Sequence, residues 1–392
     1  MIYSDSYYLP FLLVSIGIYW GILRSPLPRV SFIALASFGF LFNKRPSYAL
    51  FILGMTAVIY LAGRALHQKN RSLQLLAFIL VPLSFLIFFK YYVPSWGMPL
   101  DLPLIAVPLG ISYYTFKHIH YLVECYRGKF KEGNFLSYAA YIFFFPMFMA
   151  GPIERFENFS RQAREIKFSG ANISEGMERI LIGSFKKLVI SDMFLTAMLP
   201  PENLFVNGAA DLQWYHVLFA SFLKFLITYF DFSGYTDMVI GTGLFFGFRL
   251  MENFNFPLFR QNLAEFWRNW HISLSSWARD YVYFPLLIQY RLPSLALIAT
   301  MLTIGVWHSA EPGWAFWGLH HGIGLVLLAR YHGWATNYPK IQKMRSTLGW
   351  RIFSHVCVLW YVSMGYALTF FAEDPVTSLK LYTKILFLGL GS

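Results

Sequence analysis

Residues 293–308 read PSLALIATMLTIGVWH: a run of apolar and small residues that ends abruptly in an indole and an imidazole. A short way upstream, residues 265–280 read EFWRNWHISLSSWARD, in which charged and polar side chains alternate with aromatic ones. Burying imidazole, guanidinium and carboxylate beside so apolar a run costs several kcal/mol unless each finds a partner. Polar groups retained in such a place mark a reaction centre or a permeation path. The first expectation is therefore an enzyme embedded in a membrane.

Working outward, the whole chain has the same character. Of 392 residues, 57% are hydrophobic and 13% charged, with a mean hydropathy of +0.48. A soluble protein carries roughly 25% charged residues, so about half the usual solvating surface is missing and a lipid bilayer is the partner that replaces it. Twelve Trp, 25 Tyr and 41 Phe supply aromatic belts for two interfaces. The net charge of +12 resides in short loops between apolar runs, as in cytoplasmic loops facing anionic headgroups. No basic helix or base-stacking module accompanies it, which excludes nucleic acid as a partner. Cys125 and Cys357 have no metal or disulfide spacing and read as small core residues. The N-terminus lacks a basic n-region and a cleavage site, so 7–23 reads as a retained span.

A span needs about 20 apolar residues. Candidates are 7–23, 30–43, 47–63, 73–95, 104–124, 136–152, 177–199, 214–230, 236–248, 293–309, 314–330 and 350–372, with a weaker one at 376–391. The expectation is an all-α polytopic membrane protein forming a single domain over 1–392. About eleven spans, with re-entrant and interfacial helices, would surround a central tunnel. Lys and Arg in the early loops place the N-terminus outside. That alternation fails after residue 136, where Arg155, Arg161, Arg164 and Lys167 follow at once, so 136–152 is expected to dip in and return. Segment 154–187 suits helices lying along the cytoplasmic interface. Region 250–290 is too polar to span and is expected to fold against the bundle. Loop 331–350, with Lys340, Lys343 and Arg345 and no acid, reads as a late cytoplasmic loop.

His308 leads the candidate residues. A neutral imidazole takes a proton from a hydroxyl and returns it to a leaving group near pH 7; the bland alternative is a histidine that caps a helix. His321 follows on the next helix, some 12 Å beyond the intervening turn at 1.5 Å per residue, so the two are able to line one cavity at different depths. His271 is a second candidate. Arg279 and Asp280, being adjacent, are expected to point apart and pair elsewhere, with Glu265 or Arg268, in an ion-pair network that pins an irregular segment. Residues 231–237, DFSGYTD, place two carboxylates and a glycine in an apolar run and read as a polar kink between two spans. Pro108–Ser112 and Phe145–Ile153 read as similar breaks. Metal ligation lacks converging ligands, the zincin spacing being absent from His308, His320 and His321. His118 and His120 diverge on one helix. No phosphate-cradling loop or nucleophile elbow occurs.

These pieces together resemble the membrane-bound O-acyltransferase family, in its bacterial branch for alginate O-acetylation and teichoic-acid D-alanylation. The resemblance rests on PLGIS (108–112) with YLVECYRG (121–128), GPIER (151–155), FDFSGYTD (230–237), ENFNFP (252–257), the 265–281 block, Trp307-His308 and 317–322, so it covers about 100–330. It implies transfer of a short acyl group, acetyl or D-alanyl, from a cytoplasmic thioester (acetyl-CoA or an acyl carrier protein) to a hydroxyl of an envelope or exported polysaccharide. His308 takes the catalytic position and His271 the second polar position. Trp307, His321, Trp270 and Asp237 become the expected substrate-binding residues; Arg279, Asp280, Glu265 and Arg268 the expected structural ones. No bound cofactor or metal is implied. A bacterial cytoplasmic membrane is the expected location, with a periplasmic acyl-relay protein or a cytoplasmic carrier as partner. One departure stands out: Ser309 follows the Trp-His pair where the family commonly has glycine. Two rivals of other classes remain. A transporter would use the broken helices as its site, and a subunit without chemistry would enclose His308 among protein groups.

Overall fold

The computed structural model describes residues 6–66, 72–92, 110–130, 134–148, 151–200 and 212–389, and all regular structure among them is helical. Two compact units emerge: residues 1–183 with 235–251, and residues 184–234 with 252–392.

The first unit opens with α1 (Tyr8–Gly21), α2 (Pro26–Lys44) and α3 (Pro46–Ala65). Proline sits in the first turn of α2 and α3, where its missing N–H costs nothing and its fixed φ suits the helix. α4 (Ser72–Ile87) continues as a π-helical turn to Tyr92. α5 (Ile111–Tyr126) buries Lys117, His118 and His120. Each has a partner: Lys117 donates to the Tyr141 carbonyl at 3.0 Å, His118 Nδ1 lies 2.6 Å from the Tyr138 hydroxyl, and the Phe156 N–H donates to His120 at 3.0 Å. α6 (Phe135–Phe143) has nine residues. At 1.5 Å per residue it is less than half as long as the ~30 Å hydrocarbon core it would have to cross. α7 (Phe156–Glu165) and α8 (Gly170–Ser184) follow. The GPIER turn is held by its own glutamate. Glu154 is fully buried, and its carboxylate accepts the N–H groups of Arg155 (2.8 Å) and Met251 (2.9 Å) and the Asn158 amide (3.1 Å). Phe144, Phe159 and Phe248 pack around this turn in the core.

α9 (Trp214–Phe245) runs 32 residues without interruption, about 48 Å of helix. This corrects the two spans 214–230 and 236–248 and the polar kink between them. Asp231 pairs with Lys187 and Asp237 with Arg179, at 2.6 Å in the latter case. Partnered carboxylates remove the cost that argued for a break, and the transporter reading loses one of its broken helices. The break expected at Pro108–Ser112 falls partly outside the described residues; Gly110, at its described end, has a left-handed φ of 74°.

Lys187 belongs to an 11-residue π-helical stretch, Phe185–Leu195, in the second unit. That unit continues with α10 (Leu263–Asn269), α11 (Ile272–Ala278), a π-helical turn Arg279–Tyr283 and α12 (Phe284–Tyr290). Then come α13 (Pro293–His308), α14 (Pro312–Ala335), α15 (Pro339–Arg345), α16 (Leu348–Ala367) and α17 (Pro375–Leu386). Most of the expected loop 331–350 is thus the end of α14 plus α15. Val217, Met364, Ala367, Leu381 and Ile385 form an apolar core here. Cys125 is buried as expected, but Cys357 is exposed, correcting its reading as a core residue.

Among the described residues, α2, α3, α4 with its π-turn, and α9 are long and apolar enough to cross a bilayer; α1 and α13 are apolar but shorter. The protein is an all-helical membrane protein.

Candidate active site

The site is assembled in the second unit from three pieces of chain. The first is the turn between α10 and α11. Asn262 caps α10: its side-chain oxygen accepts the Glu265 N–H at 2.9 Å and its amide donates to Glu265 Oε1 at 2.8 Å, a reciprocal box. Asn269 donates back to the Glu265 carbonyl at 2.7 Å. Trp270 is then extended, and His271 turns the chain with φ 43° and ψ 52°. That left-handed conformation strains any residue with a Cβ. It is held by Asn253, which is fully buried. The Asn253 carbonyl accepts the Ile272 N–H at 2.9 Å and its side-chain oxygen accepts the Ser273 hydroxyl at 2.6 Å. Ser275 adds a bond to the Trp270 carbonyl at 3.0 Å.

The result is a histidine that is 4% exposed, stacked on Phe232 at 4.6 Å, with a buried Nδ1 that has no hydrogen-bond partner among the described residues. Burial pushes its imidazole down to about 3, so the ring is neutral near pH 7. A strained, buried polar group with no hydrogen-bond partner among the described residues is a candidate for ligand contact.

The second piece is the end of α13. The His271 and Trp307 ring centroids are 6.2 Å apart and those of Trp307 and His308 4.7 Å, which puts the two histidines within about 11 Å of each other. His308 is exposed, stacked on Trp314 at 4.7 Å and edge-on to Trp317 at 5.6 Å. The third piece is α14, which brings His321 under Trp317 at 4.6 Å. Trp267 of α10 donates its indole N–H to His321 Nδ1 at 3.4 Å, tying the first piece to the third.

Helices α13 and α14 cross at glycines. A Cβ at Gly318 would lie 2.6 Å from the Met301 carbonyl oxygen, and one at Gly305 would clash with the Trp314 carbonyl. Gly305 stands three residues before His308, and Gly318 three before His321. The crossing therefore fixes the spacing of both imidazoles, as small residues do wherever helix backbones meet.

His308, His271, Trp307 and His321 are thus brought together. Trp270 lies behind the strained turn, buried against Phe266 (5.3 Å) and Phe254 (5.1 Å). Asp237 is engaged by Arg179 in the first unit. Arg279 and Asp280 do not point apart to separate partners: Arg279 Nε donates to Asp280 at 3.0 Å, because the π-helical turn lets neighbours face each other. Sequence reasoning assigned no role to Asn253, Phe232, Trp267, Trp317 or the two crossing glycines. The spacing of Gly305 and Gly318 from the two histidines was the signal available for them.

The family model described as membrane-bound O-acyltransferase family matches residues 59–371. A probable alginate O-acetylase of Pseudomonas aeruginosa is 36% identical over 83% of this chain and 66% of its own length. Another from Pseudomonas putida is 33% identical over 93% of this chain and 80% of its own. A peptidoglycan O-acetyltransferase of Helicobacter pylori is 32% identical over 79% of this chain and 66% of its own. The chain therefore spans about two thirds of the length of several curated relatives. With the match covering most of its length and the site's histidines inside it, the chain belongs to the membrane-bound O-acyltransferase family.

Proposed function

We propose that the chain is an O-acetyltransferase that moves an acetyl group from a cytoplasmic thioester, acetyl-CoA or a loaded carrier protein, to a hydroxyl of an exported polysaccharide. The observation that carries this reading is that His271 and His308 both lie against Trp307, the first with a buried Nδ1 that has no hydrogen-bond partner among the described residues, the second accessible. In the step, His308 removes the proton from the acceptor hydroxyl as its oxygen attacks the thioester carbonyl. Neutral His271 donates a ring N–H to the oxygen that becomes negative in the tetrahedral intermediate. Collapse breaks the C–S bond, and the departing thiolate takes the proton from His308. Trp307 and His321 line the acceptor's path. The same reading places about eleven spans in a bacterial cytoplasmic membrane with the N-terminus outside, and a carrier or periplasmic acyl-relay protein as partner.

Acetyl is preferred to D-alanyl because the acetylating relatives are more similar; a teichoic acid D-alanyltransferase of Bacillus subtilis is 29% identical over 66% of this chain. The test is the ester content of exported glycans, by mass spectrometry, in cells carrying wild type or His308→Ala at equal protein abundance. Loss of acetyl ester is expected. Retained ester removes His308 from the mechanism, and loss of D-alanyl ester instead replaces the acyl group.

A further inference from the structure

A cavity of about 520 Å³ lies in the second unit between the start of α10, the last turns of α14, α15 and α16, a size suited to one small ligand or headgroup. Its lining separates charge of both signs from an apolar wall. On one side Arg345 lies over the Tyr331 ring at 5.7 Å and donates to His332 Nε2 at 3.1 Å. Since a guanidinium only donates, His332 Nε2 accepts and Nδ1 carries the proton, so both residues present N–H groups. The Tyr331 hydroxyl, shielded from solvent, has no hydrogen-bond partner among the described residues. Glu265 lines the same cavity; its Oε1 is taken by the Asn262 amide, and its charge acts on His332. Leu328, Phe353 and Val358 form the apolar wall.

Donors for a phosphate, a carboxylate for a cation and a wall for hydrocarbon occur together. We propose that this cavity binds a phospholipid whose headgroup carries a phosphate and a primary ammonium, phosphatidylethanolamine. The phosphate accepts from Arg345, His332 and Tyr331, the ammonium donates to Glu265 Oε2, and an acyl chain lies along the wall. Glu265 disfavours a net-anionic headgroup, which brings no cation to offset the carboxylate. A choline headgroup has charge but no N–H to donate. Tyr361, which lines the cavity, stacks on His320 at 3.9 Å and donates to the His320 carbonyl.

The test incubates the purified full chain with an equimolar mixture of phosphatidylethanolamine, phosphatidylglycerol and phosphatidylcholine of identical acyl chains, and measures retained lipid by native mass spectrometry. Phosphatidylethanolamine is expected to exceed each of the others roughly tenfold, the worth of one charge-assisted hydrogen bond. Glu265→Gln, which preserves the capping box, is expected to erase that preference; Arg345→Gln lowers retention of all three; Leu328→Trp fills the wall and removes retention. Equal or greater retention of phosphatidylglycerol by the wild type overturns the proposal. So does a preference that survives Glu265→Gln, or, should that variant not fold, retention unchanged in Arg345→Gln. The readout is independent of acyl transfer and stands or falls apart from the proposed activity.

Discussion

Replacing His271 by glycine and, separately, by alanine sets stability against activity at one position. Both variants lose the imidazole and its stacking on Phe232, so their difference isolates the backbone. At φ 43° an L-residue is disfavoured by roughly 1–2 kcal/mol, a cost glycine does not carry. The Asn253 clamp holds the turn in either case, through the Ile272 N–H and the Ser273 hydroxyl. The glycine variant is therefore expected to be the more stable by about 1 kcal/mol. For a chain this long that is a rise of about 1–2 °C in melting temperature, read by scanning fluorimetry in detergent. Transfer is expected to fall in both by roughly 10²–10³, the usual loss when one oxyanion donor is removed, read by product mass spectrometry with acetyl-CoA and a soluble glycan acceptor. An alanine variant as stable as the glycine variant would show that the turn stores no strain. A glycine variant that still transfers would show that the ring does not serve the reaction.

Four further outcomes follow. Replacing His308 with Gln should lower kcat by roughly 10²–10⁴ and flatten the acid limb of the pH–rate profile, measured in the same transfer assay. Gly305→Ala should cost roughly 1–3 kcal/mol by forcing α13 from α14, whereas Gly333→Ala, with nothing within 4 Å, should be neutral or stabilising; paired melts decide. Burial pushes the Glu157 carboxyl up, but His120, 3.0 Å away, and the Lys129 ammonium, 3.5 Å away, outweigh it and hold the group down at about 2. The stability it contributes is then present above its unfolded value near 4.5 and is lost as pH falls toward 2, so Glu157→Gln should flatten the acid side of a plot of melting temperature against pH. Lys187→Met should leave Asp231 without its cation and lower the melting temperature, and Asp231→Leu in the same chain should restore part of the loss.

How much of this was legible in the sequence depends on the range of the interaction. Apolar runs declare themselves locally, so the ends of α2, α3 and α13 fall within a few residues of expectation. His271 and His308 stood out as candidates because imidazoles are costly in such surroundings. The continuity of α9 was not legible. Its two carboxylates look like a break until Lys187 and Arg179, 44 and 58 residues away, are seen to satisfy them. Asn253 could not be given its role either, because a clamp on a left-handed residue is invisible until that residue's φ is known. The Arg279–Asp280 pair was misjudged for a related reason: adjacent residues diverge on an α-helix, and the π-helical turn that unites them has no periodic signature.

The unequal settings of the two histidines argue for unequal tasks. A general base must gain and lose a proton in every cycle, which favours the exposed ring at the end of α13. A donor to the oxyanion must keep one protonation state and one orientation, which favours the buried ring fixed by Asn253 and Phe232. The departure at Ser309 does not disturb this division. Ser309 adopts φ −155° and ψ 157°, extended backbone open to any residue, so glycine's freedom is not needed after His308. Its hydroxyl instead accepts the Glu311 N–H at 3.4 Å, where the chain turns into α14 and toward Trp314, the ring that stacks on His308. A serine fits this turn without strain, and the substitution is compatible with the proposed base.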